Sequence, residues 1–461
     1  MSLYPSAPAI TASVAGRRAV VLLTLCLGLL VAQVDTSVVN LAIHPIGIAF
    51  GASVAALQWV LDGYNLTYAV LLLTGGLLAD LYGRRRAFQA GAAILAAASL
   101  ACAMAPTIGF LIAARIAAGT GAALLLPASL AIVRVVWTNP VERRRALGIW
   151  ASCNGLAFVI GPTIGGLLIK YLGWPSVFLL SVPLALAALV LAGSVISESA
   201  DPHGRHFDLP GQIAGAVALG GLVFAAIDGH QGGTAWIPAM ILCAAALPCF
   251  LALERRAGDA ALVPLPLFSS KAFCGAICAT ASMTFGIYGL IFLLPLVWQA
   301  SGTLSAEGAG IGLLPCALLF FLVSSRSGHM AQRAGVRTMI ASGTAIIACG
   351  LLTLAATQAG RPLALAAVGL ALTGIGMWLN TGPLMSVAVD TVTAARSGTA
   401  SALINVARMA GATLGVAFLG ATFALWGGGA TGLRAAMLGG GSVQLLGAAV
   451  AFMTIRAPRR A

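Results

Sequence analysis

For its length, this sequence contains very few charged residues. Of 461 residues, 8% are Asp, Glu, Lys or Arg, whereas 60% are apolar. A chain of this length that folded in water would need a surface with far more charge. The composition therefore excludes a water-soluble protein and predicts one that is embedded in a lipid bilayer.

Lysine is nearly absent, and the motifs of several enzyme classes are missing. The two lysines are Lys170 and Lys271, and neither belongs to the glycine-rich phosphate loop of ATP-driven pumps. The Gly-x-Ser-x-Gly elbow of hydrolases and the His-Glu-x-x-His motif of zinc peptidases do not occur. We therefore expect a protein that is not an enzyme, with a membrane-embedded enzyme or receptor as a remote alternative.

Cysteine occurs nine times, but never in a pattern that indicates a disulfide or a metal site. All nine residues fall inside apolar runs, and no Cys-x-x-Cys pair occurs. Buried free thiols behave as small apolar side chains. We therefore expect neither a bound metal nor a cofactor.

Long apolar runs, in contrast, recur along the whole chain. Each is about twenty residues long, which is enough to cross the roughly 30 Å of hydrocarbon in a bilayer. They predict an all-α integral membrane protein with fourteen spans. The spans lie near residues 20–43, 54–79, 87–105, 108–133, 146–169, 175–196, 210–228, 234–253, 272–295, 305–325, 337–356, 363–386, 397–424 and 434–455.

The positive charges gather on one side of these spans. With the N-terminus inside, twenty of the twenty-five Lys and Arg residues fall in cytoplasmic segments. Short loops rich in Lys and Arg stay in the cytoplasm. We therefore expect a multi-pass protein of the cell inner membrane with both termini cytoplasmic. The net charge of +13 belongs to these loops and does not indicate a nucleic-acid partner.

Glycine patterns of the first half recur in the second half at a nearly constant offset. The repeated segments are 76–83 with 328–335, 119–121 with 374–376, and 148–165 with 398–415. Such repeats indicate two bundles related by duplication. We expect six-helix bundles at residues 14–197 and 268–457, separated by a two-helix insert at 207–255.

The loop between spans two and three combines glycines, an acid and arginines. Its residues include Gly76, Asp80, Gly83, Arg84 and Arg85. The glycines allow close helix approach, and the acid can pair with an arginine, so we expect a latch that stabilises one conformation. This loop resembles the signature of the major facilitator superfamily, Gly-x-x-x-Asp-x-x-Gly-Arg-Arg. The resemblance implies the facilitator fold.

Three charged residues lie inside the predicted spans of the first bundle. At 1.5 Å per residue, Asp35, Asp62 and Arg115 each lie roughly 10–12 Å below the outer surface, so they would share one layer. A charge in hydrocarbon costs at least about 2.5–3.5 kcal/mol and usually faces a partner or a cavity. We expect these residues to couple transport to protons. The alternative is a static ion pair that only holds the helices together.

Span five carries Gly161, Pro162, Gly165 and Gly166. Small residues four apart permit close helix packing, and the proline bends the helix, so a packing seam explains part of this motif. The order Gly-Pro-x-x-Gly-Gly also resembles the signature of drug:proton antiporters. Together with residues 35–40 and the two-span insert, it resembles the fourteen-span branch that includes exporters of quaternary ammonium dyes, methyl viologen and methylenomycin.

This resemblance implies a proton-coupled exporter of lipophilic, cationic or neutral, toxic compounds. It would use the proton gradient without a cofactor, with a small-molecule substrate, protons and the lipid bilayer as its partners, and it would act as a monomer. Two alternatives on the same fold stay open. One is a dedicated exporter of a single antibiotic or metabolite, and the other is a proton-coupled importer.

Residues that would contact the substrate are polar or aromatic side chains expected to face a central cavity, since aromatic rings stack on flat or cationic ligands. Ordinary core or lipid-facing packing is the alternative for each of them. The candidates are Asn40, Tyr64, Asn154, Trp378 and Asn380.

The penultimate span, 397–424, contains no acid and one arginine, Arg408. Some exporters of divalent cations carry additional acids in this span. We therefore do not expect efficient export of divalent cations.

Overall fold

The structure is a computed structural model, and the chain is almost entirely helical in it. It describes residues 9–201, 208–229, 234–258, 261, 263–323, 335–357, 363–392 and 397–455. Residues 328 and 332 of the repeated loop pattern lie outside these ranges. The predicted tenth span, 305–325, is described as far as residue 323.

The first bundle contains seven helices, of which the last two together form one span. They are α1 (Ala9–Phe50), α2 (Val54–Tyr82), α3 (Arg84–Ala103), α4 (Ile108–Val136), α5 (Pro140–Leu172), α6 (Ser176–Leu179) and α7 (Ser181–Val195). Side-chain oxygens of Ser53, Thr107 and Asn139 accept hydrogen bonds from the first free amides of α2, α4 and α5. These caps explain why the helices begin there.

The insert and the second bundle follow. The insert consists of α8 (Leu209–Asp228) and α9 (Trp236–Ala257), and a short 3-10 helix (Leu265–Ser269) leads out of it. The second bundle consists of α10 (Lys271–Ala300), α11 (Ala306–Gly312), α12 (Leu314–Val323), α13 (Val336–Ala355), α14 (Leu363–Asp390), α15 (Ser397–Leu425) and α16 (Gly429–Thr454).

Counted over the described residues, thirteen helices are long and apolar enough to cross a membrane. The remaining predicted span corresponds to the shorter pair α11 and α12, which is apolar as well. The helices thus confirm the predicted all-α membrane fold, and their number is close to the predicted fourteen.

Corresponding glycines make corresponding contacts in the two bundles. A Cβ atom on Gly121 of α4 would lie 2.8 Å from the carbonyl oxygen of Gly91 of α3. A Cβ atom on Gly376 of α14 would lie 2.4 Å from the carbonyl oxygen of Gly343 of α13. The third and fourth spans of each bundle therefore pack backbone to backbone in the same way, as a duplicated unit would.

The insert is attached mainly through α8. The Gln212 side chain donates a hydrogen bond to the carbonyl oxygen of Val70 at 2.5 Å and accepts one from Thr74, both on α2. Further along α8, Val223 and Ile227 pack into a buried apolar cluster with Ala417 of α15. The insert helix α8 thus lies along the seam where α2 and α15 bring the two bundles together.

The two bundles are joined more closely at one end of the molecule. One end carries the arginine runs 84–86 and 143–145 and is called the arginine-rich end below. A large apolar cluster connects the second bundle to residues such as Val38 and Leu111, which lie toward the opposite end of the first bundle. A separate cluster, around Leu29 and Leu125, fills the first bundle at its arginine-rich end.

Candidate functional site

Asp35 of α1 and Arg115 of α4 form a buried ion pair. Nη1 of Arg115 donates to Oδ2 of Asp35, and the two side chains are 1% and 0% exposed. Nε of Arg115 donates to the carbonyl oxygen of Val60 at 3.0 Å, and its guanidinium lies 4.5 Å from the ring centroid of Tyr64. Within the described residues, Oδ1 of Asp35 has no hydrogen-bond partner. One oxygen of this carboxylate is therefore buried without a hydrogen-bond donor.

Asp62 lies apart from this pair, although it is on the adjacent helix α2. The neighbouring Gly63 is the residue that faces Arg115. If Gly63 carried a Cβ atom, that atom would lie 3.7 Å from the Cβ atom of Arg115. Asp62 is fully buried, and neither of its carboxylate oxygens has a hydrogen-bond partner in the described part of the chain. The expected layer of three charges therefore contains one ion pair and one separate acid.

The face of α2 that carries Asp62 packs against α15 of the second bundle. One turn earlier, Nε2 of Gln58 donates to the carbonyl oxygens of Val416 and Ala417, both at 2.8 Å. Because α2 and α15 run antiparallel, Asp62 lies at the level of Thr413. The hydroxyl of Thr413 is also buried, with no hydrogen-bond partner among the described residues. A polar layer therefore crosses the interface between the bundles at Asp62.

The expected latch residues come together within the first bundle. Nε and Nη2 of Arg84 donate to Oδ1 of Asp80 at 3.0 and 2.8 Å. Gly83 adopts a φ of 113°, which other residues rarely adopt, and a Cβ atom there would lie 2.7 Å from the Glu198 carboxylate. Gly76 packs on α4, because a Cβ atom added to it would lie 3.4 Å from the side chain of Pro127.

Glu198 belongs to this latch, although the sequence did not single it out for the role. Its carboxylate accepts hydrogen bonds from the backbone amides of Arg85 and Arg86 at 3.0 and 3.2 Å. It also lies 3.7 and 3.8 Å from their Nε atoms. An acid at the first amides of a helix acts as a cap and complements the helix dipole. The available signal was an acid placed two residues after the predicted end of span six.

The glycine motif of span five forms a tight seam with span one. A Cβ atom on Gly161 would lie 1.9 Å from the Ser37 hydroxyl oxygen. A Cβ atom on Gly165 would lie 2.3 Å from a methyl carbon of Val38. Any larger residue at either position would force α5 away from α1.

The other face of the same motif contacts the second bundle. A Cβ atom on Gly166 would lie 2.9 Å from the carbonyl oxygen of Ala306. A Cβ atom on Gly310 of α11 would lie 2.1 Å from the carbonyl oxygen of Pro162. The motif therefore holds α5 against α1 in its own bundle and against α11 in the other.

Polar contacts strengthen this junction at the end opposite the arginine-rich end. Lys170 at the end of α5 forms an ion pair with Glu307 of α11. Gln299 of α10 donates to the carbonyl oxygen of Leu41 of α1 at 3.1 Å. These contacts connect residues more than 130 positions apart, so the sequence did not suggest them.

Three predicted substrate residues have partners inside their own bundle. Asn40 donates to the Thr36 carbonyl oxygen at 2.7 Å, and the hydroxyl of the buried Tyr64 donates to the carbonyl oxygen of Ala32 at 3.1 Å. The amide of Asn380, also buried, lies 3.0 Å from the Thr344 hydroxyl. The bond of Asn40 lies within α1, whereas the contacts of Tyr64 and Asn380 hold α1 to α2 and α13 to α14.

The other two predicted substrate residues make no side-chain hydrogen bond to another helix among the described residues. Asn154 is half-buried on α5 and donates to the carbonyl oxygen of Ala151 at 3.2 Å. Trp378 is buried on α14, and its indole nitrogen has no hydrogen-bond partner among the residues described.

Comparison with known proteins agrees with this architecture. The family model described as Major Facilitator Superfamily matches residues 25–416. The chain is 36% identical over 403 residues to the multidrug resistance protein Stp of Mycobacterium tuberculosis, covering 87% of this chain and 75% of that protein. It is 29% identical over 440 residues to the methylenomycin A resistance protein of Streptomyces coelicolor, covering 95% and 92% of the two chains.

Solved structures show the same fold at low sequence identity. A bacterial homolog of the human lysosomal transporter Spinster, in an inward-facing and unoccupied conformation, superposes with a TM-score of 0.68 at 18% identity. That match covers 95% of this chain and 97% of the other. A D-xylose-proton symporter superposes with a TM-score of 0.69 at 14% identity, covering 95% and 98%.

Proposed function

Because this chain belongs to the major facilitator superfamily, we propose that it exports lipophilic toxic compounds from the cell in exchange for protons. The observation that carries this proposal is the buried ion pair of Asp35 and Arg115. A carboxylate with one paired and one unpaired oxygen can exchange its arginine for a proton. Similarity to a multidrug resistance protein supports toxic compounds as the cargo.

Protonation of Asp35 would remove one partner of the pair. Arg115 would then retain the carbonyl oxygen of Val60 and the ring of Tyr64. Removing one partner of a buried ion pair costs about 3–5 kcal/mol. A change of that size in the contact between α1 and α4 is enough to shift the balance between two conformations.

Asp62 is the second candidate for a coupling acid. It lies between the bundles rather than inside one of them, at the level of Thr413. An ionised carboxylate without partners would be costly there. A change in the contact between α2 and α15 during transport would expose it, so its protonation would follow the movement of the bundles.

Alternating access would follow from a rocking of the two bundles. We take the arginine-rich end as cytoplasmic, because short basic loops stay inside. The junction made by Lys170, Glu307, Pro162 and Gly310 then closes the outer side, so this conformation is inward-facing. To face outward, the protein must separate this junction while the latch around Asp80 is kept.

A dedicated exporter of one antibiotic is the second candidate function. The similarity to a methylenomycin A resistance protein over 95% of the chain favours it. The two candidates differ in substrate range rather than in mechanism. Resistance of expressing cells to a single compound in an antibiotic panel would favour the dedicated exporter.

The coupling proposal is tested by efflux from cells that express the protein. The panel contains ethidium as a cation together with neutral and acidic antibiotics, and it is measured with and without an uncoupler. We expect efflux that the uncoupler stops, that Asp35→Asn abolishes, and that Glu142→Gln, a change at an exposed pair, leaves intact. Efflux that continues in the presence of the uncoupler would contradict proton coupling. Uncoupler-sensitive efflux that survives Asp35→Asn would transfer the coupling role to Asp62.

A further inference from the structure

Arg408 is a cation between the two bundles that the coupling mechanism does not use. It lies near the middle of α15 and is half-buried. Its electrostatic neighbours are the phenols of Tyr68 on α2 and Tyr288 on α10. Tyr288 in turn packs against the buried cluster of the first bundle that contains Tyr68. Helices of both bundles therefore meet around this guanidinium.

Within the described residues, Arg408 has no carboxylate partner. Its electrostatic neighbours include no acid, and its buried Nε has no hydrogen-bond partner. Arginine stays protonated in proteins. A buried cation is usually paired with a counter-charge, because leaving it unpaired is costly. Arg115, in contrast, has its counter-charge in Asp35.

The acids at this depth do not offer a comparable site for a cation. Asp35 is fully buried and already bonded to Arg115. Asp62 is fully buried between α2 and α15. Neither presents a free carboxylate to a ligand in this conformation, whereas Arg408 keeps accessible surface. Among the described residues at this depth, the accessible charge between the bundles is therefore positive.

Apolar surface lies close to this charge. Its neighbours on α15, Val406 and Met409, pack against the apolar cluster of the first bundle around Leu29 and Leu125. A ligand with an acidic group and an apolar body would find a partner for each part. The guanidinium fork also matches the two oxygens of a carboxylate.

We propose that Arg408 binds the carboxylate of a lipophilic organic anion and that such anions are the preferred cargo. This inference rests on the proposed export function and names its substrate class. It differs from the cationic or neutral class that the family resemblance implies. The half-buried Tyr288 contributes a phenol beside the same group, and Tyr68 closes the site from the first bundle.

The test measures binding to the purified full-length protein in lipid nanodiscs, without a proton gradient. The probes are naphthalene-2-acetate, its uncharged methyl ester and tetraphenylphosphonium, titrated by calorimetry. The proteins are wild type, Arg408→Gln, Arg408→Lys and the control Arg434→Gln, which removes an exposed charge from the same bundle. Thermal unfolding of each variant shows whether it is folded.

We expect the wild type to bind the carboxylate at least about tenfold more tightly than its ester, as a charge-assisted hydrogen bond implies. Arg408→Gln should lose that preference and keep its affinity for the ester. Arg408→Lys should retain part of it, and Arg434→Gln should retain all of it. Equal wild-type affinity for acid and ester, tighter binding of tetraphenylphosphonium, or no binding of the acid would overturn the proposal. Because no gradient is present, these outcomes are independent of proton-coupled export.

Discussion

Lys170 and Glu307 form an ion pair that joins the two bundles at the end opposite the arginine-rich loops. The pair links α5 to α11 at the point where Gly166 and Gly310 bring the two backbones together. Separation of the bundles at this end must break the pair. In the proposed transport cycle, this contact would therefore belong to one conformation and not to the other.

Neutralising this pair should shift the protein toward the conformation that is open at that end. Lys170→Gln and Glu307→Gln should each raise the labelling rate of a cysteine placed at the half-buried Phe158, which lines a cavity beneath the junction. The shift should be modest, because both side chains are partly exposed to solvent. The swapped pair Lys170→Glu with Glu307→Lys should restore the slow rate. Identical labelling in all variants would show that the pair does not contribute to closure.

Enlarging Gly310 should prevent closure altogether. The new Cβ atom would lie 2.1 Å from the carbonyl oxygen of Pro162, and backbone atoms cannot move aside as a flexible side chain would. Gly310→Ala should therefore abolish transport in reconstituted vesicles while the protein still folds. Gly148→Ala on α5 is the matched control, since its Cβ atom meets nothing within 4 Å. Normal transport by Gly310→Ala would mean that the close contact is not required.

Removing the Glu198 carboxylate should destabilise the latch. Glu198→Ala leaves the first amides of α3, at Arg85 and Arg86, without their acceptor. Loss of a helix cap costs about 0.5–2 kcal/mol. Chemical unfolding in mixed micelles should show a loss in this range, whereas Glu142→Ala should cost less, because its pair with Arg18 is exposed. Equal effects of the two substitutions would contradict the capping role.

The buried pair should be more sensitive to losing one member than to losing both. Arg115→Gln alone leaves the charge of Asp35 buried and unpaired, at a cost of about 3–5 kcal/mol. Asp35→Asn combined with Arg115→Gln removes both charges and should cost less. A double-mutant cycle of unfolding free energies measures this coupling. Additive effects would indicate that the two residues do not interact in the folded protein.

The sequence predicted how deep the charged residues of the first bundle lie in the membrane. It did not predict which helix each of their side chains faces. Counting residues placed Asp35 and Arg115 at one level in spans of the same bundle, and the structure pairs them. The same count placed Asp62 at that level. It faces α15 instead, because the rotation of α2 about its axis is set by Gly63 packing against α4.

The sequence also did not predict which distant segments of the chain contact each other. The glycine motif in span five predicted close packing, and the structure shows which helices it packs against. Nothing in the spacing of Lys170 and Glu307 predicts that they pair, because their contact depends on how the two bundles lie side by side. The spacing of residues along the chain predicts helices and their closely packed faces. Which residues of the other bundle they contact depends on the complete fold.

The central claim is the exchange of substrate for protons, and reconstituted vesicles test it most directly. A pH-sensitive dye inside the vesicles would report proton movement when a compound to which expression confers resistance is added on one side. We predict proton movement in the opposite direction to the compound, and its loss in Asp35→Asn. Transport of the compound without any proton movement in the wild type would contradict the account.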